Sequence, residues 1–337
     1  MGDGAISTLE RAIVATVRYG EILSLPLTAV QTWRSLIVRT SGGAGMRWGG
    51  ESVPTLPEVQ AALAESAYLR AHLSTQWGYY MLRRGDHAKK QYVRERLNRH
   101  LLAQHKWKIT RRAARWLSAV PFVRVLAGSG SLAVFNTRPG SDLDLFAIVR
   151  ARRIWTARLL LLAATQLLGR RRKHWNREAP DKICLNHYIT DDALMMPMSV
   201  RNIYTATQYT QLVPLVGHRL FWRWQRANDS WVRSWLMHPP AIPLRGRLAV
   251  QGRRGLRVVQ KAVEAVLLEP VGDVVERWAE KWQRRVIRRH SQPGRGGRVY
   301  VSATELAFHP DSKVPAIIRE FGQEPGQVGL WQSDLTA

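Results

Sequence analysis

Apolar side chains recur along this chain at two spacings, and the switches between them mark its elements. Ile6, Leu9, Ile13, Val14 and Val17 stand three and four apart, as on one face of a helix. Thr28, which follows Pro26, is placed to cap a second helix through Val38. Ser41 to Gly50 is glycine-rich and reads as a loop. Thr55-Leu56-Pro57-Glu58 has the capping-box pattern and opens a helix through Ser66. Tyr68 to Leu73 and Tyr79 to Leu82 read as two short strands turning around Gly78. Residues 1–82 are therefore expected to form a winged-helix-like helical module. Its natural groove-reading helix, Leu56 to Ser66, carries Glu58 and Glu65 and no lysine or arginine, which favours a packing or partner-binding role over DNA binding. Residues 83–120 read as a helical connector, whose dense charges, Arg96, Arg99 and Lys106 among them, are expected on a solvated face.

The period then drops to two. Phe122 to Leu126 reads as a strand, Gly128-Ser129-Gly130-Ser131 as a turn, and Leu132-Ala133-Val134 as the start of a short helix. After Pro139-Gly140 a second strand opens with Asp142 and Asp144. Ile154 to Leu168 suits a helix packed on the sheet; it is too short, and carries Arg158 and Gln166, for a transmembrane span. Lys182 to Ile189 is the third strand. A helix from Arg201 to Leu212 follows, then an aromatic segment in which Trp224, Trp231 and Trp235 share a face suited to a core. Pro239, Pro240 and Pro243 close this region, taken as residues 121–240. Residues 241–290 read as basic helices with an apolar stripe of Val258, Val259, Ala262, Val263, Val266 and Leu267. Such a helix can lie on a membrane surface, but a stripe packed inward with a solvated basic face is the expectation. Ser291 to Gly297 reads as a linker, and 291–337 as a small segment with a short strand, a helix from Val314 to Phe321 and a tail.

Composition adds three constraints. With 337 residues, 45% hydrophobic and 23% charged, the chain can bury a sizeable core. One cysteine, Cys184, excludes an internal disulfide and a Cys-rich zinc site, and the ten histidines show no metal-binding spacing. With no signal-peptide pattern at the start, a cytoplasmic location is expected. The net charge of +26 permits binding to nucleotides, nucleic acid or anionic membranes, but it is spread from Arg83 to Arg298 without a dominant tract.

The chemistry concentrates at Asp142 and Asp144. Alternation along a strand puts both on one face, with Leu143 and Leu145 on the other. Two carboxylates so close resist joint ionisation unless a cation sits between them. Mg²⁺ (or Mn²⁺), completing its shell with substrate phosphates, would relieve this. The glycines allow close backbone approach and the helix start offers N–H groups to phosphate oxygens. A solvated strand end and an ordinary turn would explain each half alone; the strand–turn–helix–loop–strand order joins them into a nucleoside-triphosphate site.

These residues resemble the signature of the polymerase-beta-like nucleotidyltransferase superfamily: an apolar residue, Gly-Ser, about ten residues, then Asp-x-Asp among apolar neighbours. Gly130-Ser131 fits best, followed by Leu132-Ala133; Gly128-Ser129 is the alternative alignment. From Tyr19 to about Pro239 the chain also resembles uncharacterised bacterial nucleotidyltransferase-domain proteins, through Leu25-Pro26-Leu27-Thr28, Gly78-Tyr79-Tyr80, Pro121-Phe122-Val123-Arg124, Cys184-Leu185-Asn186-His187-Tyr188 and Ala227-Asn228-Asp229-Ser230-Trp231-Val232. The resemblance implies an α/β (α+β) fold, a nucleotidyltransferase-like mixed sheet with the N-terminal module before it and helices after it. It implies transfer of a nucleotidyl group from a nucleoside triphosphate to a hydroxyl on RNA, protein or a metabolite. Asp142 and Asp144 would bind the metal, and Gly128, Ser129, Gly130, Ser131 and Ser141 the nucleotide. Many members carry a third carboxylate on the next strand, where this chain has Asn186, which cannot act as a base at neutral pH. Asp181 and His187 should face away from it; Asp191 and Asp192 lie where they could fold back, and Arg201, Asn202, Tyr204 and Gln208, on helical spacing, could line the site or equally serve surface or packing. The alternative is a catalytically impaired nucleotide- or nucleic-acid-binding regulatory protein of the same fold.

Overall fold

The computed structural model describes residues 6–38, 53–172, 178–237, 248–250, 254–267, 269–290, 298–309 and 313–322. The expected loop at Ser41 to Gly50, the prolines at 239, 240 and 243, the linker at 291–297 and the tail beyond Gly322 lie outside these residues. The chain begins with α1 (Thr8–Ile22), β1 (Leu27–Thr28), α2 (Ala29–Arg34), α3 (Leu56–Glu65) and α4 (Ala67–His72), then β2 (Leu73–Gln76) and β3 (Tyr79–Leu82). Ser7, Thr28 and Thr55 each close a capping box at the start of α1, α2 and α3. α2 stops at Arg34, short of the expected Val38, because the following backbone pairs elsewhere. Ile37 bridges to Leu236, and the Val38 amide donates to the Trp235 carbonyl at 2.9 Å. The first expected strand is also corrected. Ser66 accepts from the Leu69 amide and caps α4, so extended backbone begins only at Leu73. β1, β3 and β2 form a small antiparallel sheet in that order.

The long helix α5 (Asp86–Leu117) leads to the main sheet. There follow β4 (Val123–Gly128), the one-turn α6 (Gly130–Ala133), β5 (Leu143–Val149), α7 (Ile154–Leu167) and β6 (Ile183–Thr190). Next come α8 (Ile203–Gln211), β7 (Val213–Val216), α9 (His218–Arg233), α10 (Arg254–Val266) and α11 (Val271–His290). The last elements are β8 (Arg298–Val301), β9 (Glu305–His309) and α12 (Val314–Phe321). The fold class is mixed α/β, as expected. The six strands lie in the order β7-β4-β5-β6-β9-β8, and only β5 and β6 run parallel, joined through α7. The C-terminal segment thus supplies two strands to the main sheet instead of standing apart.

Strand alternation sorts the core into two layers. On β5, Leu143, Leu145, Ala147 and Val149 face a cluster that includes Trp107 of α5, Leu161 of α7 and Ala279 of α11. Phe146 and Ile148 face the other cluster, with Ala206 of α8 and Trp224 and Trp231 of α9, the core role expected for those tryptophans. Asp144 shares the parity of Phe146, so the same alternation that fills the core leaves a carboxylate at its margin.

Candidate functional site

The site gathers where β4 ends and β5 and β6 begin. Because β4 is antiparallel to β5 and β6 parallel to it, the β4 C-terminus and the two N-termini share one edge: Gly128 pairs with Leu145, and Asp144 with Cys184. The Ser129 amide donates to the Asp144 carbonyl at 3.0 Å, which ties the turn to the second strand.

The glycines have different reasons. Gly130 has φ of +59°, and a Cβ there would stand 2.5 Å from Asp144 Oδ2. Only glycine lets the backbone lie against that carboxylate in this conformation. At Gly128 a Cβ would meet the Trp107 ring at 2.3 Å, so its small size serves the packing of α5. Ser129 precedes α6 without a side-chain cap, and Ser131, half-buried, accepts the Asn136 amide on its carbonyl at 2.9 Å. Ser141 closes the turn before Asp142: its Oγ accepts the Arg138 amide at 3.0 Å.

Asp142, Asp144 and Cys184 each bring a ligand atom within 4.8 Å of the others, all half-buried. Burial, and then the charge of Asp142, pushes the Asp144 carboxyl up to about 7. Arg172, Cys184 and Asn186 act in the opposite direction. Arg172 donates to Asp142 Oδ2 and lies 3.7 Å from the Cys184 sulfur. Burial is the largest single influence and opposes its charge, but Asp142 and Cys184 together outweigh it and its pKa is raised. Burial, followed by the two carboxylates, pushes the Cys184 thiol well above its usual value, so it stays neutral. Asn186 Nδ2 donates to Asp144 Oδ1 at 3.0 Å. Two hard carboxylate oxygens suit Mg²⁺ or Mn²⁺, whereas the thiol suits a softer ion.

Other expected participants go elsewhere. His187 was expected to face away from Asn186, yet it lies on the same side, its ring 5.2 Å from Phe146 and its Nε2 3.0 Å from Glu305. The register of β5 and β6 slips between Leu145 and Phe146, and such a bulge lets neighbouring residues share a face. Asp191 does not fold back: it accepts the Ala151 amide at 2.8 Å, past the far end of β5, and Asp192 is exposed. Asp181 pairs with Lys106 at 2.9 Å. Arg201 donates to the Met196 carbonyl and the buried Asn202 caps α8, so neither lines the acid pair.

Four contributors were not anticipated. Lys106 and Arg96 were placed on a solvated helix face, but both are buried. Lys106 donates to the carbonyls of Pro139 (3.2 Å) and Ser141 (2.7 Å), and Arg96 to those of Val134 (3.2 Å) and Phe135. α5 thereby braces the whole loop that carries Asp142. Arg172 belonged to an undifferentiated basic run; its backbone follows the Arg171–Ile183 bridge, which aims it at Asp142. Cys184 was read only as the lone cysteine, although its spacing of two from Asn186 puts both on one face of a strand.

No protein-family model matches the chain, and no match was found among curated proteins or solved structures.

Proposed function

We propose that this edge of the sheet binds a nucleoside triphosphate with a divalent cation, Mg²⁺ or Mn²⁺, and transfers a nucleotidyl group to a hydroxyl acceptor. The observation that carries the reading is the contact of Gly130 with Asp144: the two halves of the sequence signature, fourteen residues apart, meet at one point. Asp142 and Asp144 would hold the cation, whose chemistry there would be to neutralise phosphate charge and stabilise the leaving pyrophosphate. The backbone from Ser129 to Ser131 would hold phosphate oxygens, and Arg172 would turn from Asp142 toward the phosphates. Asn186 would orient Asp144 through its amide, without taking a proton.

The raised carboxyl at Asp144 supports a cation site, because a cation nearby favours the ionised form. Calorimetric titration of ATP, GTP, CTP and UTP, with and without Mg²⁺, is the test. Metal-dependent binding should occur in the parent chain and vanish in Asp142→Ala/Asp144→Ala, with pyrophosphate released when an acceptor is present. Binding that ignores both the cation and the double substitution would reject the site.

A second reading rests on a different observation. Asp142 is held by Arg172 and Asp144 by Asn186, and among the described residues no third carboxylate joins the pair. A regulatory protein of this fold would bind nucleotide with metal and release no pyrophosphate.

A further inference from the structure

α10 turns Gln260 and Glu264 inward and leaves its valines exposed, and α11 makes inward polar contacts beside its buried Ala279 and Ile287 while a second apolar stripe stands exposed. On α10 the inward side chains are Gln260, which donates to the Val120 carbonyl at 3.1 Å, and Glu264, which accepts from the Phe122 amide at 2.6 Å and from Arg124 at 2.9 Å. On α11 they include Glu276, which accepts the Trp155 and Thr156 amides at the start of α7, and the buried Gln283. The opposite faces are apolar and exposed. Val258 and Val266 are 68% and 71% exposed on α10, the stripe expected to pack inward. On α11, Val271, Val274, Trp278 and Trp282 form one stripe; Trp278 is 58% exposed and its ring lies 6.3 Å from that of Trp282, nearly parallel. A surface helix normally packs such a valine stripe inward, and exposed apolar faces mark a binding surface.

From these exposed stripes we infer that α10 and α11 dock the protein on an anionic lipid bilayer. The charge around the stripe selects that occupant. Lys281, Arg285, Arg288 and Arg289 are exposed on α11 beside or beyond the tryptophans, and the whole chain carries +26. Valines and tryptophans would enter the acyl boundary while arginines reach the headgroups. A second copy would bring the same basic flanks against themselves. A nucleic acid would meet the arginines and leave the valines in water. Among the described residues no helix is long and apolar enough to cross a membrane, so the contact is with its surface. This inference is independent of the nucleotide site.

The full chain is tested by co-sedimentation with vesicles of phosphatidylcholine alone and of phosphatidylcholine mixed with phosphatidylglycerol, at physiological ionic strength. It should bind the mixed vesicles only. Trp278→Ser/Trp282→Ser and, separately, Val258→Gln/Val266→Gln should each lower the partition about tenfold, since binding scales with buried apolar area. Both pairs face solvent, so circular dichroism and the thermal midpoint should stay at the parent's values. Neutralising Arg285, Arg288 and Arg289 to glutamine should cost about fivefold per charge. Failure to bind mixed vesicles overturns the inference. So does binding that survives both apolar variants, which would reduce it to diffuse charge. Self-association abolished by the tryptophan variant, without vesicle binding, would give the face to a second copy and overturn it as well.

Discussion

At Asp144 the fold and the proposed chemistry depend on one proton. Burial and Asp142 raise its carboxyl from 3.8 to about 7, so the folded chain holds a proton that the unfolded chain gives up earlier. The folded state therefore gains stability from Asp144 below about 3.8, and that gain is lost as the pH rises through about 7. In metal-free protein the thermal midpoint should fall over this window, less steeply in Asp144→Asn. Cation binding should run the other way. Mn²⁺ affinity should rise as the pH climbs through about 7, with proton release measured by calorimetry in buffers of different ionisation enthalpy. An affinity independent of pH would remove Asp144 from the metal shell. Gly130 offers a second residue-scale test, with Gly78 as its control. Both have positive φ, +59° and +75°, but a Cβ at Gly78 meets nothing within 4 Å. Gly78→Ala should cost only the backbone strain, about 1–2 kcal/mol by urea denaturation. Gly130→Ala should cost more and should also weaken cation binding, because the methyl displaces Asp144.

The element that most changes the picture is α5. It was legible as a helix, since its apolar and charged positions follow the helical period, but its contribution to the site was not. Lys106 and Arg96 look like any solvated charge in sequence; only the tertiary fold brings four loop carbonyls to them. Lys106→Met keeps the stem and removes the donor, leaving two carbonyls and Asp181 short of a partner, and should destabilise by about 1–3 kcal/mol. Adding Asp181→Asn should recover part of the loss, and cation affinity should fall with stability because Ser141 adjoins Asp142. Unchanged cation affinity would mean the loop is held without α5. The same distinction separates the other expectations. The cap at Thr28 and the box at Thr55 depend on four consecutive residues and were legible. The Asp142–Asp144 face needed only strand alternation. The side taken by His187 needed a register slip between two strands, and the aim of Arg172 needed a bridge to β6. α10 shows the limit most clearly: periodicity defines its two faces, while the neighbours decide which one is buried.

At the scale of the whole molecule, the C-terminal strands close an edge of the main sheet that β6 would otherwise leave open. β9 pairs antiparallel with β6 across His187, Tyr188 and Ile189, and β8 pairs in turn with β9. Leu306 and Ala307 are buried, and Glu305 meets His187 from the same strand. α12 extends the closure to the other end of the chain: Phe321 stands edge-on to Tyr19 of α1 at 5.4 Å, and Tyr19 in turn shares a 2.9 Å hydrogen bond with Thr207 of α8. A chain ending at His290 would keep every residue of the proposed site and lose this cover. An unpaired central strand is a template for association. The truncated protein should therefore aggregate and lose the cooperative thermal transition of the parent. Ending the chain at His309 instead retains β8 and β9 and, of the described elements, removes α12; it should stay monodisperse by light scattering with a lowered thermal midpoint. If the His290 truncation were monodisperse and as stable as the parent, β6 would not need its C-terminal neighbours. The core would then be a four-stranded assembly of β7, β4, β5, β6 and their helices, able to stand alone. The opposite result would make the site's rigidity a property of the whole chain, because β6 carries Cys184 and Asn186 on the strand that β9 holds in place.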